Sequence, residues 1–370
     1  SAVRTPIGTA FKGALRDTPA ELLAEIVVRE AVARSGFAPE SVDDILLAES
    51  MYGGGDLARY AAVAAGLTHA PGVALNRHCA GSLAAVSMAA GSVRAGMDEI
   101  VVAGGAMATS LSPQLTWRVP GTQETRTSAM PPTFPHYEGA DDDVTISTGW
   151  NTAVEAGLTR AEVDAWALRS HERAIAAIDA GVFEAEIVPV PVTGPDGPTD
   201  FTVDEHPKRS TSAERLASLK PLHPEIADFS VTAGNSAGVN DAAAALVVAS
   251  DRIAQEQGAE ALATVEAWAS VGVEPHRTGM AATEVIPVVL KRAGLEIADI
   301  DLWEINEAFA SVPLAACRAH GIDEARVNIY GSGCSLGHPV AATGARMLTT
   351  LVHELRRRGG GTAVAALCAG

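Results

Sequence analysis

Aromatic residues are scarce in this 370-residue chain, at 4%, while hydrophobic residues reach 47%. Few rings and much Ala, Val and Gly exclude a disordered chain and describe closely packed helices and sheets. The length suits two or three domains' worth of packing rather than one small core. Cysteine is also sparse: Cys79, Cys317, Cys334 and Cys368 show no CxxC pair and no Cys/His ligand spacing. Neither a metal site nor a disulfide framework is therefore expected, and a reducing cytoplasm fits best. No uncharged apolar run reaches the roughly 18 residues of a membrane span, and the opening SAVRTP does not resemble a signal peptide. Basic residues fall short of acidic ones, 27 against 45, for a formal net charge of −18. A nucleic-acid backbone or an anionic membrane surface would be repelled, although a local basic patch can still hold a small phosphorylated ligand.

What is present is an α/β alternation that occurs twice. In the first half, apolar spacing predicts a helix from about Pro19 to Ser35 ended by Gly36, a strand Asp44 to Ala48, a turn at Gly53 to Gly55 and a helix through Arg59 to Ala65. A strand, turn and small-residue helix around Cys79 follow, closed by the strand Glu99 to Gly104. In the second half IADIDLWE echoes SVDDILLAE, a helix is predicted to start near NEAFA, the turn GSGCSLGHP leads into a small-residue helix, and the strand Thr362 to Leu367 closes the set. Duplicated units of this kind predict an α/β fold with mostly parallel sheets, and helices apolar on more than one face predict burial between two of them. The stretch from about Ser110 to Ser230 differs: it holds Pro113, Pro120, Pro131, Pro132 and Pro135, the acidic cluster Asp141 to Asp143, and an amphipathic helix Arg160 to Ala180. It reads as an inserted loop domain that shapes or covers a site. The expected division is 1–110 with 231–250 as the first half, 111–230 as the insertion, and 251–370 as the second half.

Four residues could carry chemistry. Cys79 lies at a strand-to-helix turn, where unpaired N–H groups and the positive dipole end favour a thiolate, although a Cys among small residues is commonly a buried hydrophobe. His338, between Gly337 and Pro339, has the side chain that usually serves as base to a thiol. Cys368 ends an apolar strand, where open α/β sheets place their sites. Asn306, with Glu307, is expected to begin a helix directly after the strand Leu302 to Ile305, where its amide could hold a water or an oxyanion.

NRHCAGSLAAV, VVAGG, VTAGNSAGVNDAAAA, EINEAFA, GHPVAATGAR and the terminal LCAG, in that order and across nearly the whole chain, resemble the thiolase family, enzymes that make or break 3-ketoacyl-CoA by Claisen chemistry. The resemblance implies a thiolase-like fold: two duplicated α/β halves with mostly parallel five-stranded sheets, layered αβαβα, plus the inserted loop domain. It implies Cys79 as the nucleophile that carries the acyl group, His338 as its base, and Cys368 as the acid and base at the α-carbon. It also implies two oxyanion holes, one from an Asn306-held water with His338, the other from the N–H groups of Cys79 and Gly370. Coenzyme A is a substrate and no cofactor is implied. Lys208 and Arg209 fall where the family contacts CoA, and Ala233, Gly234, Ser236 and Ala237 belong to the pantetheine loop. A homodimer or homotetramer acting in fatty acid or other lipid metabolism completes the expectation, and the family's last strand would follow Gly370.

The chain departs from the family pattern in places. Ala80, Gly81 and Ser82 follow the nucleophile where Ser-Gly is usual, GGAMATS lacks an acidic residue near Ala106, and Ala237 replaces a pantetheine-contacting Ser, with Ser236 displaced by one. Thr145 and Thr278 stand where the family has pocket methionines. Two Met-to-Thr changes predict a wider, more polar acyl pocket and a substrate larger than acetoacetyl-CoA. Two other readings compete: a decarboxylating ketoacyl synthase, which lacks the terminal cysteine, and a thiolase-like acyl-CoA or lipid binding protein without turnover.

Overall fold

The computed structural model describes residues 1–128, 133–135, 143–194 and 197–369. Pro131, Pro132, Asp141, Asp142 and Gly370, named above, lie outside them. The first half runs β1 (Ala2–Arg4), β2 (Gly8–Thr9), α1 (Ala20–Ser35), β3 (Asp44–Ala48), α2 (Leu57–Ala64), β4 (Val73–Leu75), α3 (Gly81–Arg94) and β5 (Ile100–Ala108). The middle adds β6 (Leu115–Arg118), β7 (Thr125–Ser128), a π-helical turn Thr145–Trp150, α4 (Asn151–Glu155), α5 (Arg160–Asp179), β8 (Val190–Gly194), β9 (Gly197–Phe201) and α6 (Ala213–Ala217). Then come β10 (Asn240–Ala249), α7 (Asp251–Gln257), α8 (Ala281–Ala293), β11 (Leu302–Ile305), α9 (Ser311–His320), α10 (Thr343–Arg358) and β12 (Ala363–Ala366).

The larger sheet has the order β1-β10-β5-β3-β4, with β2 also beside β10. Strand alternation divides its side chains cleanly. Ile45, Leu47, Ile100 and Val102 face α1 and α2, whereas Leu46, Val101, Ala103 and Ala244 face Ala85, Val86 and Ala89 of α3 and Ala345 of α10. The outer helix α1 fits its place because Leu23, Val27, Ala31 and their neighbours Ala24, Val28 and Val32 recur at helical spacing and are all buried. α10 also touches the second sheet, formed by β11 and β12, and packs on both strands. Small side chains on α10 therefore answer to two sheets at once, while those of α3 pack on the larger sheet and on α10. α8 and α9 cover the far side, with Ile286, Leu290 and Ala316 packed around Trp303 and Ile305.

Strand direction follows the expectation of a mostly parallel sheet, with β10 alone reversed among the described strands of the larger sheet, whereas the strand count differs from five. β3 pairs with β4 and β5 in parallel, but β10 is antiparallel to β1, β2 and β5. The larger sheet is thus six-stranded and mixed, and the second sheet is a parallel pair among the described residues. β10, the reversed strand, is the one that enters the sheet after the long middle region. The helix expected at Asn306 is also displaced. Asn306 to Ala310 form a loop, and α9 starts at Ser311. Tertiary hydrogen bonds hold the loop open: Asn306 N–H donates to the Ala366 carbonyl (2.9 Å), Ala237 N–H to the Ala308 carbonyl (2.9 Å) and Ala310 N–H to the Asn235 carbonyl (2.9 Å). No helix among the described residues is long and apolar enough to cross a membrane.

Candidate active site

Cys79 lies in a short 3-10 turn, His78–Ala80, that feeds the N-terminus of α3. His338 lies in the loop leading to α10. The two helices are drawn together at these ends by Ser82, whose buried hydroxyl accepts from the Ala345 N–H (2.9 Å), and by Gly344, where an added Cβ would sit 2.7 Å from the Leu83 nitrogen. The Ala80-Gly81-Ser82 order thus puts a hydroxyl at the helix crossing. Gly105 of VVAGG has a similar use: a Cβ there would lie 2.1 Å from the Ala341 carbonyl oxygen, so only glycine lets the sheet approach the His338 loop.

These contacts place His338 Nε2 3.1 Å from Cys79 Sγ. The imidazole tautomer follows from its other side. Thr343 Oγ1 donates its one hydrogen to the Pro339 carbonyl (2.9 Å), so at 2.7 Å from His338 Nδ1 it acts as acceptor. Nδ1 therefore carries the proton and Nε2 offers its lone pair to the thiol. The His338 N–H donates to Asn240 Oδ1 (3.0 Å), and Asn240 Nδ2 in turn donates to the Gly8 carbonyl (2.9 Å).

The electrostatics correct the expected thiolate. Burial pushes the Cys79 thiol well above its ordinary range, and Cys368 pushes it further. Burial, with the Arg346 cation, pushes His338 down to about 3. Both shifts favour the neutral pair, so the resting site holds a thiol hydrogen-bonded to a neutral imidazole. Desolvation outweighs the helix terminus here. Cys368, two residues beyond β12 and 1% exposed, is pushed up by burial to about 12 and likewise rests as a thiol.

Asn306 Nδ2 is 3.4 Å from His338 Nε2, and Asn306 Oδ1 is buried with no hydrogen-bond partner among the described residues. Its neighbour Glu307 is anchored by four neutral donors: Trp166 Nε1 (2.9 Å), Asn328 Nδ2 (2.8 Å), Ser170 Oγ (2.6 Å) and the Cys334 N–H (3.1 Å). Glu307 thereby fastens the Asn306 loop to α5 and to the turn before His338. Cys317 and Cys334 are buried core residues. A cavity of about 310 Å³ between α5 and α9, lined by Trp166, Arg169, Cys317 and Arg318, holds none of the four chemical residues.

Of the expected substrate contacts, Ser236 and the segments of Thr145 and Thr278 lie around or next to Phe309, which sequence reasoning did not single out. Ser236 pairs with Phe309 in a single bridge, Gly149 of the π-helical turn packs on its ring, and Val231 and Phe229 join it with Ile146 and Trp150. The Thr278 segment packs on that same turn, with Asn151 Nδ2 donating to the His276 carbonyl (2.7 Å). Thr145 Oγ1 donates to Asp143 (2.7 Å) beside His223, Thr278 Oγ1 to the Pro275 carbonyl (2.7 Å), and Ser236 Oγ to the Thr232 carbonyl (2.7 Å). Both threonine hydroxyls are thus engaged with groups of the protein itself, which weighs against the predicted gain in polarity. Ala233 is exposed, and Gly234 packs against Leu216 and Leu219. Lys208 gives its N–H to His171 (3.2 Å), while Arg209 forms an exposed two-pronged pair with Asp179 (2.9 and 2.5 Å). Thr343, Ser82 and Asn240 also escaped the sequence reading; the signal was a hydroxyl or amide inside the motifs themselves.

A thiol facing a neutral imidazole, with a second thiol close by at the end of a strand in a layered α/β chain, has the parts of a covalent cysteine catalyst. Residues 1–252 match the family model "Thiolase, N-terminal domain" and residues 259–370 match "Thiolase, C-terminal domain". The chain belongs to the thiolase family and is a thiolase-type acyltransferase. It is 37% identical to the acetyl-CoA acetyltransferase of Pseudomonas aeruginosa over 380 residues, covering 100% of this chain and 95% of that protein. It is 38% identical to the beta-ketoadipyl-CoA thiolase of Pseudomonas knackmussii, with the same coverage. The crystal structure of Bacillus anthracis acetyl-CoA acetyltransferase superposes with a TM-score of 0.91 at 37% identity, covering 100% of this chain and 94% of that one.

Proposed function

We propose that the protein cleaves or forms 3-ketoacyl-CoA through an acyl group carried on Cys79, with substrates larger than acetoacetyl-CoA preferred. The observation that carries this reading is the 3.1 Å contact between Cys79 Sγ and a His338 whose tautomer is set by Thr343. In the cleavage direction the Cys79 proton passes to His338 Nε2 as sulfur attacks the keto carbon. The C2–C3 bond breaks, Cys368 gives its proton to C2, and acetyl-CoA leaves. CoA then gives its thiol proton to the Cys368 thiolate and attacks the acyl group, and Cys79 recovers its proton from His338. Asn306, with its unpartnered Oδ1, holds a water that with His338 stabilises the thioester enolate oxygen. The N–H groups of Cys79 and Gly370 serve the oxyanion at the acyl carbon. Lys208 and Arg209, with the loop from Ala233 to Ala237, meet CoA. CoA and acyl-CoA are the partners, without a resident cofactor or metal. A cytoplasmic homodimer or homotetramer fits reduced free cysteines and the half-exposed edge strand β4.

The test is thiolysis of a panel of 3-ketoacyl-CoAs with free CoA, followed by loss of the substrate's absorbance. Longer or branched substrates are expected to exceed acetoacetyl-CoA in kcat/KM. Equal or better turnover of acetoacetyl-CoA overturns the size preference. A folded protein that binds CoA and cleaves nothing favours the binding-protein reading instead.

The tautomer has its own test. Thr343→Val keeps the side-chain shape and leaves the buried Nδ1–H unpartnered, so kcat should fall about ten- to a hundredfold, the kinetic equivalent of about 1.4–2.7 kcal/mol. KM for CoA should hold, and Thr343→Ser should recover most of the loss. An unchanged kcat in Thr343→Val would remove the threonine from the mechanism.

A further inference from the structure

His78, the residue before the nucleophile, has φ +42, in the left-handed region that side chains bearing a Cβ enter at a cost. Its conformation is held from both sides. The His78 N–H donates to Asn76 Oδ1 (2.9 Å), and its carbonyl accepts from Ser50 Oγ (2.9 Å). Asn76 Nδ2 donates to the Ser50 carbonyl (3.3 Å), which joins the two clamping residues across the β3 and β4 strand ends. The imidazole takes no part in the thiol pair: its Nε2 lies 3.3 Å from Thr133 Oγ1. On the other side of Cys79, the Ala80 N–H donates to the Ala369 carbonyl (2.9 Å), so the turn is fixed at one end by this clamp and at the other by the Cys368 strand end.

We propose that Ser50 and Asn76 are positioning residues that hold His78 in the left-handed conformation and so aim Cys79 Sγ at His338. A relaxed, negative φ at residue 78 would swing the backbone of Cys79 and carry its sulfur off the imidazole, and displacements of about 1 Å at a reacting atom slow catalysis on the order of a hundredfold. Glycine enters this region without the Cβ penalty, so a glycine at position 78 makes the clamp dispensable. The proposal rests on the thiolase reading, in which Cys79 is the nucleophile.

The experiment combines Ser50→Ala and Asn76→Ala with His78→Gly. Asn76 is exposed, so its variant remains informative if Ser50→Ala fails to fold. Two quantities are read: kcat and KM for thiolysis, and the alkylation rate of Cys79 by iodoacetamide, followed by mass spectrometry. Each clamp variant alone is expected to lose about tenfold in kcat with KM unchanged, and to alkylate Cys79 with altered rate. In the His78→Gly background the same substitutions should change kcat by less than about twofold. Wild-type kcat in both clamp variants overturns the proposal, and so does an equal loss with and without glycine at position 78. Alkylation needs no acyl substrate: failure of the wild-type protein to cleave any 3-ketoacyl-CoA would sink the thiolase reading, while the alkylation rates would still decide the clamp.

Discussion

Cys79→Ala is expected to lower thiolysis by about four orders of magnitude or more, while the protein keeps its fold and its affinity for CoA. The size of the effect follows from covalent catalysis, in which removing the attacking atom eliminates the acyl-enzyme route altogether. The fold should survive because Cys79 occupies a partly exposed turn and its sulfur makes one hydrogen bond among the described residues, to His338. A companion measurement uses the charge state. Burial pushes the thiol up and the imidazole down, so the ionised pair is disfavoured at neutral pH. Alkylation of Cys79 should therefore rise with pH through and beyond the ordinary thiol range, with no plateau near neutrality. A plateau near pH 6 would mean a preformed thiolate–imidazolium pair. Thiolysis persisting in Cys79→Ala would remove this cysteine from the centre of the chemistry.

Cys368→Ala should separate two activities. Exchange of labelled CoA into acyl-CoA requires only acyl transfer through Cys79 and His338, and it is expected to fall by no more than about tenfold. Carbon–carbon cleavage requires a proton at C2, and it should fall by about a thousandfold or more. The thiol of Cys368, pushed to about 12, is a poor resting base but a ready proton donor to a carbanion. Its carbonyl-side neighbour Ala369 is bonded to the nucleophile turn, so acid and nucleophile move as one unit. Parallel loss of both activities in this variant would show that Cys368 serves acyl transfer itself, and the division of labour proposed above would be wrong.

Much of the architecture was legible because it follows from periodicity. The continuous apolar runs of β3 and β5 and the i, i+3, i+4 spacing of α1 are local facts, and the structure realises them as strands buried on both faces beneath a one-faced helix. The reversal of β10 was not legible, since that strand reaches the sheet after a long excursion whose path no local pattern records. The Asn306 loop was misread as helix because its opposing hydrogen bonds come from residues 235–237 and from Ala366. At the site, the residue types pointed to thiol and imidazole chemistry, yet the charge state did not follow from them. A helix N-terminus favours a thiolate only where desolvation does not outweigh it, and desolvation of the Cys79 thiol does so here. Thr343, Ser82 and Ser50 act through hydrogen bonds to partners fixed by tertiary packing, and a hydroxyl in a sequence carries no mark of which partner it will find.

Cys79 belongs to the half that precedes β10, whereas His338 and Cys368 belong to the half that follows it. A chain in which only one half has folded therefore presents either a thiol without its base or a base without its thiol. Half-built molecules, whether newly synthesised or partly unfolded, are chemically silent toward acyl-CoA, and the reactive combination comes into existence only when the two sheets close on the helices between them.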